Sequence, residues 1–285
     1  MMNKYKKYLP YVAVTIWFFI LTTLILYVFF PYQKIFRLAF MNFISSSKMV
    51  VSVEGARIRP LSARASKVVF GHEALQGKPL FELEKVKVSW NPLSIFKGVI
   101  NISSEATTYS GVTRFWVSGV PVLANSTPVL TVSIANISLS KYPDDRVPWF
   151  KGITGIMNVW MRKEIPLFSL DRQKGNFLIS LQNGEIKEIR TKNFPKITLP
   201  YKEIKIEGKI EGERILLSKI FINSFGNVIK GNGTIESNEY EQKINLKLDY
   251  EATSKGAPLS GKGTITIIGN QWSPDILVTP SEQKQ

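Results

Sequence analysis

Apolar positions follow two different patterns along this chain. From Leu9 to Phe30 the sequence runs 22 residues without a charge, and beyond Ser47 apolar and polar residues alternate with a period of two. The first run is long enough to cross a bilayer as a helix. It is longer than the apolar part of a signal peptide and lacks a small-residue cleavage site after it. We therefore expect residues 9–30 to form an uncleaved transmembrane helix.

Lysines set the expected orientation of this helix. Lys4, Lys6 and Lys7 precede the apolar run, whereas only Lys34 and Arg37 follow it closely. Positively charged flanks stay in the cytoplasm. We expect residues 1–8 to be a cytoplasmic stub and the bulk of the chain to lie on the other side of the membrane.

Residues 31–47 form a second helical pattern. Apolar residues recur there at helical spacing from Ile35 to Ile44, and Pro31 is a favourable first residue. The segment is predicted to be a short amphipathic helix or linker. It could lie on the membrane or cover the end of a sheet.

The alternating pattern predicts a β domain over residues 48–278, followed by a flexible tail at 279–285. Phe81 and Leu83 alternate with polar residues. The phase of this alternation shifts after Glu84, and Val86 continues the pattern, which indicates a β-bulge or a bend. Further alternating runs occur at 132–134, 137–139, 179–181, 204–206, 244–248 and 264–267. Expected turns lie at Asn91-Pro92, Asn183-Gly184, Gly226-Asn227 and Gly269-Asn270. One apolar and one polar face indicate antiparallel strands.

The stretch from Val147 to Lys163 fits either a helix or strands. Gly152 and Gly155 would weaken a helix, and Met157, Val159 and Met161 alternate with polar or bulky partners, so we predict strands. No later segment of ten residues has a helical period, which excludes Rossmann and TIM-barrel folds. The fold class predicted is mainly β: one N-terminal transmembrane helix and a short amphipathic helix, then a large curved antiparallel β-sheet folded into a groove or open sandwich. A closed sandwich remains an alternative.

Two short echoes suggest a repeated unit. Residues 231–235 (GNGTI) recur as 261–265 (GKGTI), and residues 54–58 (EGARI) recur as 211–215 (EGERI). Thirty residues, the spacing of the first pair, is about one hairpin with its connections.

Charge narrows the choice of partner. Lys+Arg 37 against Asp+Glu 22 gives a formal net charge of +15, and the excess lies before residue 201. A basic region near the membrane favours lipid headgroups or a docking face over nucleic acid. The alternative is that Lys and Arg only keep the outer face of the domain soluble.

The sequence offers little chemistry for catalysis. Cysteine is absent and His72 is the only histidine, so thiolate nucleophiles, Cys-ligated metals and two-histidine metal sites are excluded. His72 lies beside Gly71 and is expected in a turn. The carboxylates of 203–213 alternate with lysines, which indicates a solvated, charge-paired strand face, and Asp144-Asp145 is a second acidic cluster. We expect no catalytic, cofactor-binding or metal-binding residues and no enzyme activity.

The segment from Leu83 to Gly98 (LEKVKVSWNPLSIFKG), behind the apolar run and its Phe30-Pro31-Tyr32 exit, resembles protein N of the bacterial type II secretion system, the GspN family. Residues 184–186, 212–217, 231–235 and 261–265 with Trp272-Ser273-Pro274 are similar to later strands of that family. The resemblance implies an inner-membrane anchor, a periplasmic body and a place beside the secretion machinery. The layout also resembles AsmA-like and lipopolysaccharide-transport proteins, whose β structures form curved, apolar-lined grooves.

Two functions therefore remain open. In the first, the chain is a non-enzymatic component of the type II secretion system, and its periplasmic domain is a scaffold or assembly factor that binds other secretion components. In the second, it is an AsmA-like lipid-binding or lipid-transfer protein that holds phospholipid in an apolar groove. Both place it in the bacterial inner membrane as a single-pass protein with a cytoplasmic N-terminus, without cofactor or nucleic-acid partner.

Overall fold

The computed structural model describes residues 49–59, 61–72, 79–121, 126–143, 150–166, 173–193, 196–237, 242–254, 256–270 and 273–281. The predicted transmembrane helix (9–30), the predicted amphipathic helix (31–47) and the Asp144-Asp145 cluster lie outside these residues. Within the described part, no helix has the length and apolar character needed to span a bilayer.

The described chain is mainly β, as the alternating pattern predicts, and all its strands belong to one antiparallel sheet. The strands are β1 (Met49–Glu54), β2 (Arg57–Arg59), β3 (Ser62–His72), β4 (Pro79–Asn91), β5 (Val99–Thr108), β6 (Gly111–Pro121), β7 (Val129–Ser138), β8 (Phe150–Ile153), β9 (Ile156–Glu164), β10 (Lys174–Ile189), β11 (Ile197–Glu211), β12 (Arg214–Ser224), β13 (Asn227–Ser237), β14 (Gln242–Ala252), β15 (Lys262–Asn270) and β16 (Ser273–Pro280). Neighbours in the sheet follow the order of the chain, with β2 placed beside β3 and β8 beside β10. The sheet is open, because β1 and β16 form its two edges.

Among the residues that the structure describes, two short 3₁₀ helices interrupt the meander, at Pro92–Lys97 and Leu139–Lys141. The first confirms the break expected at Asn91-Pro92. The Asn91 side chain accepts a hydrogen bond from the backbone of Leu93 at 3.0 Å, and Gly98, with φ of 71°, ends the helix in the left-handed region.

The predicted bulge after Glu84 is confirmed. The pairing of β4 with β5 shifts between Glu84 and Lys87, and Lys85 has a φ of 52°. The extra residue lets Leu83 and Val86 both be buried despite their odd spacing. The bulge therefore keeps the apolar residues of β4 on one face.

The strand prediction for 147–163 is confirmed over the described residues, which form β8 and β9. The turn predicted at Asn183-Gly184 is wrong, because both residues lie inside the 16-residue strand β10. Asn183 has a φ of 50° and marks the place where the partner of β10 changes from β9 to β8. Gly184 has no side chain, so the Tyr201 hydroxyl can reach the carbonyl of Thr154 beside it. The Asn183-Gly184 pair, which is typical of a hairpin turn, therefore forms an irregularity within a long strand because of the packing around it.

The other predicted turns have mixed outcomes. The turn at Gly226-Asn227 is confirmed, since it joins β12 to β13. Gly269-Asn270 ends β15, just before β16. His72 is the last residue of β3, opposite Met49, and not a turn residue.

Three hydrophobic cores follow one another along the sheet. The first contains residues of β3, β4 and β5; the second contains residues of β7, β10 and β11; the third contains residues of β11 to β16. Phe81 packs against the first two cores, and Ile186, Ile206 and Ile222 pack against the last two. The cores therefore form one continuous apolar layer.

The C-terminal strands curl until β16 meets the connection between β10 and β11. The backbone N–H of Lys192 donates to the carbonyl of Ile276 at 2.9 Å. The Asn193 side chain donates to the Val278 carbonyl and accepts from the Val278 N–H, both at 3.0 Å. In a flat sheet with strands about 4.8 Å apart, β11 and β16 would be roughly 24 Å from each other. The contacts therefore require β11–β16 to wrap around the third core.

The two pairs of similar sequences occupy positions in the sheet that are alike in some respects only. Residues 231–235 lie in β13 and residues 261–265 begin β15, so the two segments flank β14 on either side. Gly55 and Gly212 of the second pair both have positive φ, at 62° and 61°, and each ends a strand. The repeated unit stays a prediction.

Candidate functional site: the apolar face of the sheet

One face of the sheet is apolar across its whole width. Directly opposed residues of antiparallel strands lie on the same face, so a chain of opposed pairs traces that face from strand to strand. The middle chain of pairs, which we call ladder A, is Ala63, Val88, Ser104, Phe115, Val132, Met161, Phe177, Gly208, Leu217, Gly233, Leu246, Ile267 and Ile276. No member carries a charge.

Two further ladders flank ladder A on the same face. Ladder B is Trp90, Ile102, Val117, Leu130, Lys163, Gly175, Ile210, Ile215, Ile235, Ile244, Gly269 and Pro274. Ladder C is Ala106, Thr113, Ile134, Val159, Ile179, Ile206, Ile220, Gly231, Leu248, Ile265 and Val278. The three ladders together make an apolar surface across more than ten strands, and Lys163 is their one charged member.

The opposite face carries alternating charges. One chain of opposed pairs there reads Glu164, Lys174, Glu211, Arg214, Glu236 and Lys243. Arg214 and Glu236 form a salt bridge at 2.7 Å. The Lys205 and Glu207 charges, 3.4 Å apart, likewise confirm the predicted charge pairing within 203–213. Opposite charges directly across strands favour this register, and the face is suited to water.

The apolar face is buried to different extents in the two halves of the sheet. In the C-terminal half the curl buries Leu217, Leu248, Ile265, Ile276 and Val278 in the third core. Over β5, β6, β7 and β9 the face is buried at Ala106, Thr113 and Val132 and half-exposed at other positions. We call the residues there the open strip: Ile102, Val117, Leu130, Val159, Met161 and Lys163.

The open strip lacks a second layer in the described part of the chain. Its residues belong to none of the three cores. A half-exposed apolar strip of this kind is where an apolar ligand or partner would be expected to bind.

Lys163 lies at one end of the open strip. Its cross-strand neighbours on the apolar face are Leu130 and Gly175, both uncharged. A Cβ placed on Gly175 would stand 3.1 Å from the Lys163 Cβ, so the glycine leaves space beside the lysine side chain. No charged or hydrogen-bonding side chain of the described residues pairs with the Lys163 amine, and burial alone lowers the pKa of this group.

A second exposed apolar feature is the first 3₁₀ helix. Leu93 is 68% exposed and Phe96 is 88% exposed, with Ile95 beside them. We call these three residues the helix patch. It projects from the connection between β4 and β5, at the same end of the sheet as Lys163.

The charged face contains a cavity of about 800 Å³ near the ends of β9, β10 and β11. Its lining includes Arg162, Lys174 and Lys209 together with Glu164 and Glu211. Glu164, Lys174 and Glu211 alternate in charge at opposed positions, whereas Arg162 and Lys209 both oppose Asn176. In the described residues, no group of three His, Asp or Glu side chains could hold a metal ion.

Lys163 is the candidate residue that the sequence analysis did not single out. The signal was present, because the predicted alternation of Met157, Val159 and Met161 continues in phase to position 163. Only the pairing of β9 with β7 and β10 shows that this phase faces the apolar side.

Comparison of the chain with known protein families, curated proteins and solved structures finds no match.

Proposed function

We propose that this chain is a non-enzymatic, membrane-anchored protein whose β domain binds phospholipid acyl chains on the open strip. The observation that carries the proposal is the half-exposed part of the apolar face over β5–β9, the open strip, whose six residues belong to none of the three cores of the described chain. An ordinary core would be covered on this face. A groove that is apolar on one side and solvated on the other is suited to lipid.

The dimensions of the open strip fit an acyl chain. Strands stand about 4.8 Å apart, so a ladder across β5, β6, β7 and β9 is roughly 15 Å long. That is about half the thickness of a bilayer hydrocarbon core, the depth that one acyl chain fills. Burial of each CH₂ group contributes about 0.8 kcal/mol.

The sequence supports the membrane location. The apolar segment 9–30 would anchor the chain in the inner membrane, and β1 begins at Met49, a short distance along the chain. The excess of positive charge before residue 201 would favour a position close to anionic headgroups. The sheet would then lie in the periplasm, with lipid entering from the membrane.

The second candidate is a scaffold or assembly factor of the type II secretion system. The helix patch favours it, because Phe96 at 88% exposed has no packing role in the described fold. The patch also lies within the segment 83–98 that carries the resemblance to protein N of that system. A secretion component would bind here through apolar contact with the aromatic ring.

Photo-crosslinking in native membranes tests the lipid proposal. A benzophenone amino acid at Leu130 would face the open strip, and the same amino acid at Thr131, one residue on, would face the charged side. We expect lipid adducts from position 130 and few from position 131, read by mass spectrometry. Equal lipid labelling at the two positions would contradict a lipid-specific strip.

Substitution of the helix patch tests the scaffold proposal. Phe96→Asp should release co-purifying secretion proteins while leaving the lipid adducts of position 130 unchanged. Loss of the lipid adducts with retained partner proteins would instead point to the patch as part of the lipid path.

A further inference from the structure

The amine of Lys163 poses a specific electrostatic problem. It belongs to the apolar face, and its opposed neighbours Leu130 and Gly175 offer no hydrogen-bond acceptor from their side chains. A charged group that leaves water without a partner is unfavourable, so buried charges are normally paired. The residue next along the chain, Glu164, faces the opposite side of the sheet in the pair with Lys174. It therefore does not supply the missing anion.

The surroundings of Lys163 are open on the side where a ligand would lie. Gly175 removes the side chain that would otherwise crowd the lysine stem, since its Cβ would stand 3.1 Å from the Lys163 Cβ. Along β9, Met161 and Val159 continue the open strip away from the lysine, and Val117 continues it across the strands. A single positive charge thus stands at the end of an apolar strip. An anionic phospholipid has the complementary arrangement, with a phosphate at one end of its acyl chains.

We infer that Lys163 binds the phosphate of an anionic phospholipid whose acyl chains lie on the open strip. The inference rests on the proposed function and adds the headgroup class to it. The open strip has two arms that meet at Lys163: ladder B runs across β7, β6 and β5, and Met161 and Val159 run along β9. A phospholipid with two acyl chains is therefore favoured over a free fatty acid with one. The net charge of +15 also favours an anionic lipid.

The test compares two probes that share the same acyl chains. Fluorescent phosphatidylglycerol carries the phosphate, and fluorescent diacylglycerol does not. Both are titrated into the full-length protein in neutral detergent. Charge-assisted hydrogen bonds to phosphate are strong, so we expect wild-type protein to prefer phosphatidylglycerol by roughly tenfold or more.

Lys163→Met should remove that preference and leave the affinity for diacylglycerol unchanged. Lys209→Met is the matched control, because Lys209 is exposed on the charged face of β11 and opposes Leu216 and Asn176. It removes the same charge near the same end of the sheet and should keep the preference. Lys163→Arg should restore most of it, and circular dichroism of each variant checks that the sheet is intact.

The outcomes separate this inference from the proposed function. If Lys163→Met binds both probes as wild type does, the lysine merely reaches water and the inference is wrong, while the lipid-binding proposal stands. If wild type binds neither probe, the open strip does not bind lipids of this kind, and both proposals are wrong. If Lys209→Met loses the preference as fully as Lys163→Met does, general charge attraction explains the selectivity and the inference is again wrong.

Discussion

Asn227 is a buried polar side chain that fixes the core of the C-terminal strands. It is fully buried, donates to the carbonyl of Leu259 at 2.7 Å and accepts from the N–H of Leu259 at 3.1 Å. Leu259 belongs to the connection between β14 and β15 and is itself 1% exposed in the third core. The amide thus supplies the hydrogen bonds that would otherwise be missing from a buried piece of connecting backbone.

Asn227→Ala should lower the free energy of unfolding by about 2–4 kcal/mol, because it leaves a buried N–H and a buried carbonyl without partners. Thermal or denaturant unfolding of the full-length protein in detergent measures the change. Asn232→Ala, at an exposed position of the same strand, should change it by less than about 0.5 kcal/mol. Similar effects of the two variants would show that the clamp on Leu259 contributes little.

Lys163 should give stability a measurable pH dependence. Burial lowers the pKa of its amine in the folded protein below the ordinary value of 10.5, so the unfolded chain binds the proton more tightly. The penalty for keeping the amine charged is therefore fully present below the lowered pKa. It declines as pH rises from that value towards 10.5.

Lys163→Met should accordingly be more stable than wild type near pH 7 in lipid-free detergent, and its advantage should shrink as the pH approaches 10.5. Melting temperatures of the two proteins between pH 7 and pH 10.5 test this. Lys209→Met corrects for the loss of net charge. An advantage that stays constant with pH would mean that the difference comes from apolar packing alone.

Residue-scale features were the least accessible to sequence reasoning. The clamp joins two residues 32 positions apart, and no local pattern pairs them. The Lys163 position was readable from the phase of its own strand, but its lack of a partner depends on which residues oppose it in β7 and β10. Periodicity gives the face of a residue and not its neighbours.

At the scale of elements, the sequence predicted strands and bulges better than turns. The alternating runs singled out in the sequence lie in strands, except that Leu139 begins a 3₁₀ helix, and the phase shift after Glu84 located a bulge that the pairing confirms. The Asn183-Gly184 pair failed as a turn because its local preference for positive φ also suits a break within a strand. The hydrogen bond from the Tyr201 hydroxyl to Thr154 favours the break within a strand over the turn. It joins residues 47 positions apart, so no local pattern reveals it.

The backbone groups at the free edge of β16 are hydrogen-bonded by a side chain. Asn193 takes the place of a further strand by bonding both backbone groups of Val278, which would otherwise be free to pair with another molecule. The bond from Lys192 N–H to Ile276 extends the same cover.

Asn193→Ala should expose this part of β16 and speed amide hydrogen exchange at Val278 by about tenfold, because one clamp worth roughly 1–2 kcal/mol is lost. Lys192→Met removes only the exposed ion pair with Asp275, whose side chains are 62% and 60% exposed, and should leave exchange nearly unchanged. Exchange followed by mass spectrometry compares the two. If Lys192→Met has the larger effect, the ion pair and not the amide holds the edge.

At the scale of the molecule, the sequence predicted one large antiparallel sheet with a single apolar face, and it left a groove, an open sandwich and a closed sandwich as alternatives. The structure combines the possibilities, since β11–β16 wrap around their own core while β5–β9 leave the open strip half-exposed. The difference arises from contacts between 192–193 and 276–278, which no periodicity reveals. Curvature is a tertiary property of this sheet.

This division predicts uneven dynamics. In lipid-free detergent, backbone amides of β6 and β7 should exchange faster than those of β13 and β14, because β6 and β7 carry half-exposed residues of the open strip whereas β13 and β14 wrap around the third core. Addition of phosphatidylglycerol should slow exchange in β6, β7 and β9 and leave β13 and β14 unchanged. Uniform protection across the sheet before lipid is added would contradict an uncovered strip.

The agreement between strand order and chain order has a consequence for how the molecule is made. Each strand from β10 onwards can dock on the one synthesised just before it, so folding can proceed by the addition of one hairpin after another as the chain emerges from its N-terminus. The contact between Asn193 and Val278 is different, because it joins residues 85 positions apart. This contact cannot form until β16 has been synthesised. A chain halted before that point would have an unprotected edge strand, whose free backbone groups could pair with any extended peptide nearby.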